Sequence, residues 1–483
     1  MKNLLIKTFF LTLVLFAFCG CTSYVEDENV DPDLLTDVDA RNLFQGALLA
    51  NQFFQNSSTV RDVMLWLNQA NGENRQYVAL NNWNNATASE FDDSWNTAYV
   101  NCITNAKLTQ NKATVELNPN LKGAAQVIEA HCMGTIASLW GDAPYSMLDV
   151  SGNNLTPVYD NQVSIYASLQ TLLDDAITNL SATVGSGIPS DKDIYFGGDP
   201  EKWLKLAYSL KARFYLHTKN YSLAKANAVL GINNESDDFK AVFGNSSYQN
   251  FNPFYSFLVY DRDDYMSGDS YAARLLDPSN ALYRGNSKTD ESARFMFNYL
   301  NNGEYFDPYT LNIYGTDYCC TNGKFGSDSP MPMVTYGEML LIITEVDARS
   351  SVSSGVTSYN AYRALLDTGY SIGIDNSGYD SETYNYDAYV ETDFNAGGME
   401  NINNIAPIDA LLREIYQERY IYFIGSFEAY TDFGRSNNKA EIQLKPGYSD
   451  TPQRFLYPQV EINSNPNTPN PIPSIHIKTP VHM

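Results

Sequence analysis

Gln76-Tyr77-Val78-Ala79-Leu80-Asn81-Asn82-Trp83-Asn84-Asn85 brings two aromatic rings and five side-chain amides into ten consecutive residues. A sugar ring offers apolar C–H faces and polar edges. Its receptors therefore pair a flat aromatic platform with amide or carboxylate hydrogen-bonders. Trp83 is the first stacking candidate here, with Tyr77, Asn81 and Asn82 beside it. The stretch lacks helical periodicity and reads as a loop; a loop tryptophan tucked against a scaffold is the competing reading. Two other stretches carry the same chemistry. VYDRDDYMSGDSY at 259–271 supplies Tyr260, Arg262, Asp263 and Tyr265, and NIYGTDYCC at 312–320 supplies Tyr314 and Tyr318. Asp261, Asp263, Asp264 and Asp269 also offer oxygens to a calcium ion, but not at EF-hand spacing, and a solvated acidic loop is the alternative. No other metal or cofactor is expected.

Catalysis has less to stand on. No nucleophile elbow, H-E-x-x-H, P-loop or dinucleotide fingerprint occurs in the chain. Of the four histidines, His131 and His217 sit in helical patterns and His476 and His482 near the C-terminus, a poor basis for triad or metallohydrolase chemistry. Glycoside hydrolysis needs only two carboxylates at a set separation, so a surface glycosidase remains the rival to a binding protein. The expectation is a protein without catalytic activity. A third reading is a ligand-free scaffold that holds protein partners.

Charge narrows the partners. The chain carries 31 Lys and Arg against 56 Asp and Glu, a net charge of −25. That field repels nucleic acid and anionic lipid headgroups, which excludes a nucleic-acid-binding role. Cys102 and Cys132 fall within helical patterns and read as buried thiols. The adjacent Cys319 and Cys320 are poorly placed to bridge one another, and no spacing suggests zinc.

The elements that must position these residues are mainly helices. Ile128, Cys132, Ile136 and Trp140 recur at fourfold spacing, in a helix that starts after Pro119 and stops at Gly141. Asp199-Pro200 caps and opens a helix over 201–217, with Trp203, Ala207, Leu210 and Phe214 on one face. Further stripes cover 336–348 and 407–424, and weaker ones 38–54, 92–112, 162–180 and 220–230. Neighbouring helices joined by short loops predict antiparallel hairpins of tetratricopeptide size, though the strict repeat period is absent. Trp95, Trp140 and Trp203 read as core, as does Trp66. Glu338 and Glu345 are expected to cap or pair locally, and Arg435, after a stop at Phe433-Gly434, to pair with a carboxylate. Strand patterns are short and scattered. Residues 463–475 read as an extended tail, and no linker divides the chain. The expectation is one mainly α domain, with an irregular, loop-rich ligand-binding part around 231–330.

The N-terminus adds an address. Lys2 and Lys7 precede an apolar run from Phe9 to Phe18, too short to span a bilayer, and small Gly20 precedes Cys21. This resembles the lipobox of bacterial lipoproteins. The resemblance implies that residues 1–20 are removed and that Cys21 is lipidated, leaving 29 basic against 56 acidic residues, a net charge of −27. Glu26, Asp27 and Glu28 resemble the acidic tag that sends some Bacteroidetes lipoproteins to the cell surface.

Behind it come Phe91 to Tyr99 (FDDSWNTAY), LWGDAPYS at 139–146, DPEKWLKLAYSLKARFYLH at 199–217, MVTYGEMLLIITEVDAR at 333–349 and EIYQERYIYFIGSFEAYTDFGRSN at 414–437. In this order the series resembles the SusD/RagB family of Bacteroidetes outer-membrane lipoproteins, in its divergent SusD-like branch. The resemblance implies a tetratricopeptide-like scaffold and a ligand site fed by the loop before the Trp95–Tyr99 helix. It also implies a SusC-like, TonB-dependent β-barrel transporter that the protein covers as a lid. The implied cargo is oligosaccharide or, in some members, peptide.

Overall fold

The computed structural model describes residues 38–246, 250–301, 309–314, 323–372, 383–448 and 451–483. Its scaffold helices run as α1 (Ala40–Gln55), α2 (Thr104–Val115), α3 (Pro119–Trp140), α4 (Gln162–Leu180), α5 (Pro200–His217), α6 (Tyr221–Ala228), α7 (Tyr336–Ser350), α8 (Val352–Leu366), α9 (Pro407–Tyr422) and α10 (Phe427–Ser436). The signal segment and Cys21 lie outside the described residues, as do Tyr318, Cys319 and Cys320.

The helix ends follow from their side chains. The Asp199 carboxylate accepts the Glu201 N–H, and Pro200 occupies a first-turn position whose N–H would have no partner. Asn118 caps α3 in the same way, and Gly141 stops it at φ +82°, a conformation costly for any residue with a Cβ. Residues 116–118 join α2 to α3, 218–220 join α5 to α6, and Ser351 alone joins α7 to α8. Links this short fold consecutive helices back on each other, and each pair packs together, so the hairpin scaffold is as expected. The helix expected over 92–112 runs from Asp92 to Val115, with wide turns from Thr97 to Ile103 in its middle.

Packing is tightest where small residues admit neighbours. A Cβ on Gly134 of α3 would sit 2.2 Å from Phe214 Cζ of α5. Alanine is the better helix former by about 1 kcal/mol, but overpacking at this crossing costs about 1–3 kcal/mol. Gly134→Ala is therefore expected to lower the urea midpoint. An unchanged or raised midpoint would show that Phe214 moves aside freely.

Trp66, Trp95, Trp140 and Trp203 are all buried, as are the free thiols of Cys102 and Cys132. Phe455 meets Trp66, Phe91 and Trp140 in one aromatic nucleus. Its N–H donates to the Leu139 carbonyl at 2.8 Å, and Trp140 Nε1 donates to the Leu456 carbonyl at 2.8 Å. The segment expected as an extended tail is tied down: the Asn465 amide donates to the Pro157 carbonyl, and the Ile475 carbonyl accepts from Gln453. Gly434 stops nothing. It lies inside α10 under His482, and the helix ends at Asn437 in the left-handed conformation.

Glu338 pairs with Arg213 across helices at 2.5 Å rather than locally. Glu345 accepts from Arg435 at 2.6 Å and from Arg349 one turn along at 2.9 Å.

Between α6 and α7 the chain leaves the scaffold. Phe239–Ala241 pairs antiparallel with Met331–Val334 and closes the base of this excursion. Inside it lie the short helices Pro253–Ser256, Tyr271–Leu276 and Ser292–Asn298, with strands of two or three residues. The molecule is mainly helical with an irregular middle, as expected.

Candidate functional site

Three segments far apart in sequence meet in a cleft of about 520 Å³, within the size range of small-molecule sites. The first follows the helix Ser58–Trp66. Asn68 takes a positive φ, so its side chain can bridge outward: it donates to the Gln443 carbonyl at 2.9 Å and accepts from the Tyr271 N–H at 3.2 Å. Asn71–Gly72 (β1) then pairs antiparallel with Met266–Ser267 (β2). Gly72 is required here, because a Cβ would sit 2.0 Å from the Tyr77 carbonyl oxygen. The Asn81 amide grips Gly72 from both sides, accepting its N–H at 3.0 Å and donating to its carbonyl at 2.8 Å.

The second segment leaves β2 and carries Asp269, Tyr271 and Arg274; Asp269 and Arg274 form an ion pair. The third brings Lys445 and then a Pro446-Gly447 turn, with Gly447 at φ +91°, that delivers Tyr448. Lys445 Nζ donates to Asn71 Oδ1 at 3.0 Å and to Asn81 Oδ1. Burial pushes its pKa down to about 7, against the opposing pull of Glu73 and Asp269. The walls thus combine amides, one ion pair, one buried ammonium and two tyrosines, with Val78, Leu282 and Leu444 as the apolar part of the lining. Such a surface can hold the edges of a polyol with hydrogen bonds and its C–H faces against rings.

Of the sequence candidates, Asn81 lines this cleft and Trp83 does not. Its ring is 2% exposed and packs on Tyr448 at 4.8 Å between centroids, so it backs the wall and offers no face to a ligand. The stretch is not a plain loop either: Gln76–Leu80 is a short helix and Trp83–Asn85 a single tight turn, whose Asn84 N–H donates to the Asn82 side chain. Tyr77 is buried beneath the cleft between Phe257 and Tyr265, and its hydroxyl accepts from Arg61 Nε at 3.0 Å. Tyr265 is buried with it, while Arg262 lies over the Tyr265 ring. The tyrosines at 77 and 265 are therefore packing groups, because each other's rings and Phe257, with Arg262 over Tyr265, cover them.

Asp263 is exposed, and Tyr314 is partly exposed on the segment after Tyr309–Leu311. The aspartates considered for calcium do not converge: Asp264 accepts from Asn74 and Asp269 from Arg274. Among the described residues no three His, Cys, Asp or Glu side chains are placed to share a metal ion.

Tyr260 is 58% exposed and stacks with Phe251 at 5.9 Å and 16°, with Tyr255 at the edge of both. These rings form an aromatic face on the surface of the irregular part. Sequence reasoning missed Asn68, Asn71, Tyr271, Arg274, Lys445 and Tyr448. Only the Pro446-Gly447 turn hinted that the residue after it is presented on a loop.

The chain from residue 32 to 458 matches the SusD-like family model described as starch-binding and associating with the outer membrane. No curated protein matches the sequence. A SusD/RagB family protein from Bacteroides thetaiotaomicron has the same fold at a TM-score of 0.62 and 21% identity, over 89% of this chain and 95% of its own. A SusD homologue from Bacteroides uniformis gives 0.61 and 19%, covering 89% and 94%. A chitin-binding SusD homologue from Flavobacterium johnsoniae gives 0.59 and 17%, covering 87% and 93%. At these identities the likeness speaks for the fold, whereas the family match spans most of the sequence: the chain belongs to the SusD-like family.

Proposed function

We propose that this protein captures oligosaccharide at the outer-membrane surface and hands it to a TonB-dependent β-barrel transporter, without chemistry of its own. The cleft carries the reading: its amides, tyrosines and volume suit a sugar chain, and it is built around the same 68–81 segment that holds the sequence-predicted Asn81. The chitin-binding relative with the same fold supports a glycan as cargo. A lipid on Cys21 would tether the protein, and among the described residues no helix is long and apolar enough to cross a membrane. Tethering raises the local concentration of captured ligand at the pore. Against a hydrolase, Asp269 is the one carboxylate on the cleft wall among the described residues, and Arg274 neutralises it. Hydrolysis requires two carboxylates flanking the scissile bond.

Two measurements test this. Affinity purification from detergent-solubilised outer membranes is expected to recover a stoichiometric β-barrel partner. Calorimetric titration with starch and chitin oligosaccharides is expected to show binding without turnover. Tyr448→Ala should weaken that binding by about 10- to 100-fold, the usual consequence of removing a central aromatic contact. Recovery of the protein alone, together with turnover of a bound glycan, would overturn the reading in favour of a free-standing enzyme.

A further inference from the structure

Lys445 is 8% exposed yet lines the cleft. Two of its three N–H donors are spent on Asn71 and Asn81, which are neutral. Among the described residues no carboxylate ion-pairs with it; Glu73 and Asp269 act on it from a distance, and both are engaged elsewhere. Glu73 accepts from the Asn71 amide and from the Ser267 hydroxyl, and Asp269 is paired with Arg274. Taking an ammonium from water without a counter-charge is strongly unfavourable. A methionine would fill the same space without that cost.

The local charge balance is also inverted. In a chain of 31 basic and 56 acidic residues, the cleft wall holds, among the described residues, two bases, Lys445 and Arg274, and one acid, Asp269. We propose that the cleft is built for an acidic oligosaccharide, whose sugars carry a carboxylate or a sulfate ester, with Lys445 as the group that receives the anion. This rests on the reading of the cleft as an oligosaccharide site.

The remaining donor of Lys445 supplies a charge-assisted hydrogen bond to the anion, and the anion supplies the missing counter-charge. Among the described residues, the charged and titratable groups around Lys445 are Glu73 from the first segment, Asp269, Tyr271 and Arg274 from the second, and Tyr448 beside it. Because burial holds Lys445 near pH 7, the ammonium is present below that pH and lost above it. An anion alongside raises its pKa, so binding near neutrality takes up a proton.

The test is titration calorimetry of the purified protein with matched sugars: tetragalacturonate against its methyl ester, and chondroitin sulfate against desulfated chondroitin. The first pair reads the carboxylate and the second the sulfate. At about pH 6 the acidic member of one pair is expected to bind about tenfold tighter or more, and at about pH 8.5 that preference shrinks. Lys445→Met should abolish the preference, read as the ratio of the two affinities within a pair, because any general loss of binding falls on both members alike. Lys445→Arg, whose charge does not titrate, should keep it at both pH values and serves if the methionine variant fails to fold. Equal affinity within both pairs, or a preference surviving Lys445→Met, overturns the proposal. Binding of neutral sugars alone removes this inference and leaves the oligosaccharide reading standing. Failure of every sugar, or capture of polyglutamate instead, removes both.

Discussion

Replacing Glu418 by alanine is expected to lower the free energy of unfolding by about 3–5 kcal/mol, a large share of the roughly 5–15 kcal/mol of a typical domain. Glu418 on α9 is 2% exposed and sits between two arginines that come from the irregular part. Arg294 Nη1 donates to its Oε1 at 2.6 Å and Arg284 Nη1 to its Oε2 at 2.8 Å. The same arginines hold Glu291, and Arg284 also holds Glu414 at 2.7 Å. Tyr362, Tyr359 and Tyr386 donate their hydroxyls to Glu418, Glu414 and Glu291 in turn. Removing one carboxylate leaves two buried guanidiniums short of an acceptor, which is why truncation costs more than the pair contributes. Glu418→Gln keeps the shape and one acceptor, so its cost should be smaller. Urea unfolding followed by circular dichroism checks both. A loss below about 1 kcal/mol for Glu418→Ala would show that water or a rearranged arginine replaces the carboxylate.

The same cluster predicts acid sensitivity. Despite burial, which works the other way, Arg294 and Arg284 hold the Glu418 carboxyl far below its usual range, and Arg435 does the same for Glu345. A folded-state pKa below the unfolded value means that the unfolded chain binds more protons in the window between them. Stability from these groups is therefore complete above the ordinary glutamate pKa of about 4.3 and lost as pH falls below it. Asp62 and Glu400 act in the opposite sense, since burial raises each to about 7 and their cost grows as pH rises toward that value.

Helices with caps were legible because cap, periodicity and stop are local properties. Asp199, Pro200 and Gly141 announce themselves within one turn of where they act. Helix α8 was not legible: VSSGVTSYNAYRALL is rich in serine, threonine and tyrosine, and is held by Tyr359 and Tyr362 reaching carboxylates on α9. The cleft failed for a related reason. Asn81 stood out because amides cluster around it, but Lys445 reaches Asn71 across 374 positions, and no local pattern links such segments. Trp83 shows the reverse error. A tryptophan among asparagines looks like a platform until Tyr448, arriving from the far end of the chain, covers it.

Trp83→Ala should accordingly act twice, costing about 3–5 kcal/mol of stability through the cavity it leaves and weakening ligand binding because Tyr448 loses its backing. Trp83→Phe separates the two roles. Phenylalanine keeps a ring against Tyr448, and it deletes an indole N–H that is buried without a hydrogen-bond partner among the described residues. An orphaned donor of that kind costs about 1–3 kcal/mol, so the smaller ring's lost contacts are offset in part. The phenylalanine variant is expected to melt close to the wild type and to bind ligand almost as well. Thermal unfolding and calorimetric titration of the two variants side by side make the distinction. Should Trp83→Phe keep its stability but lose about tenfold or more in affinity, the indole itself must touch the ligand, and residues 82–85 must open on binding to let it do so.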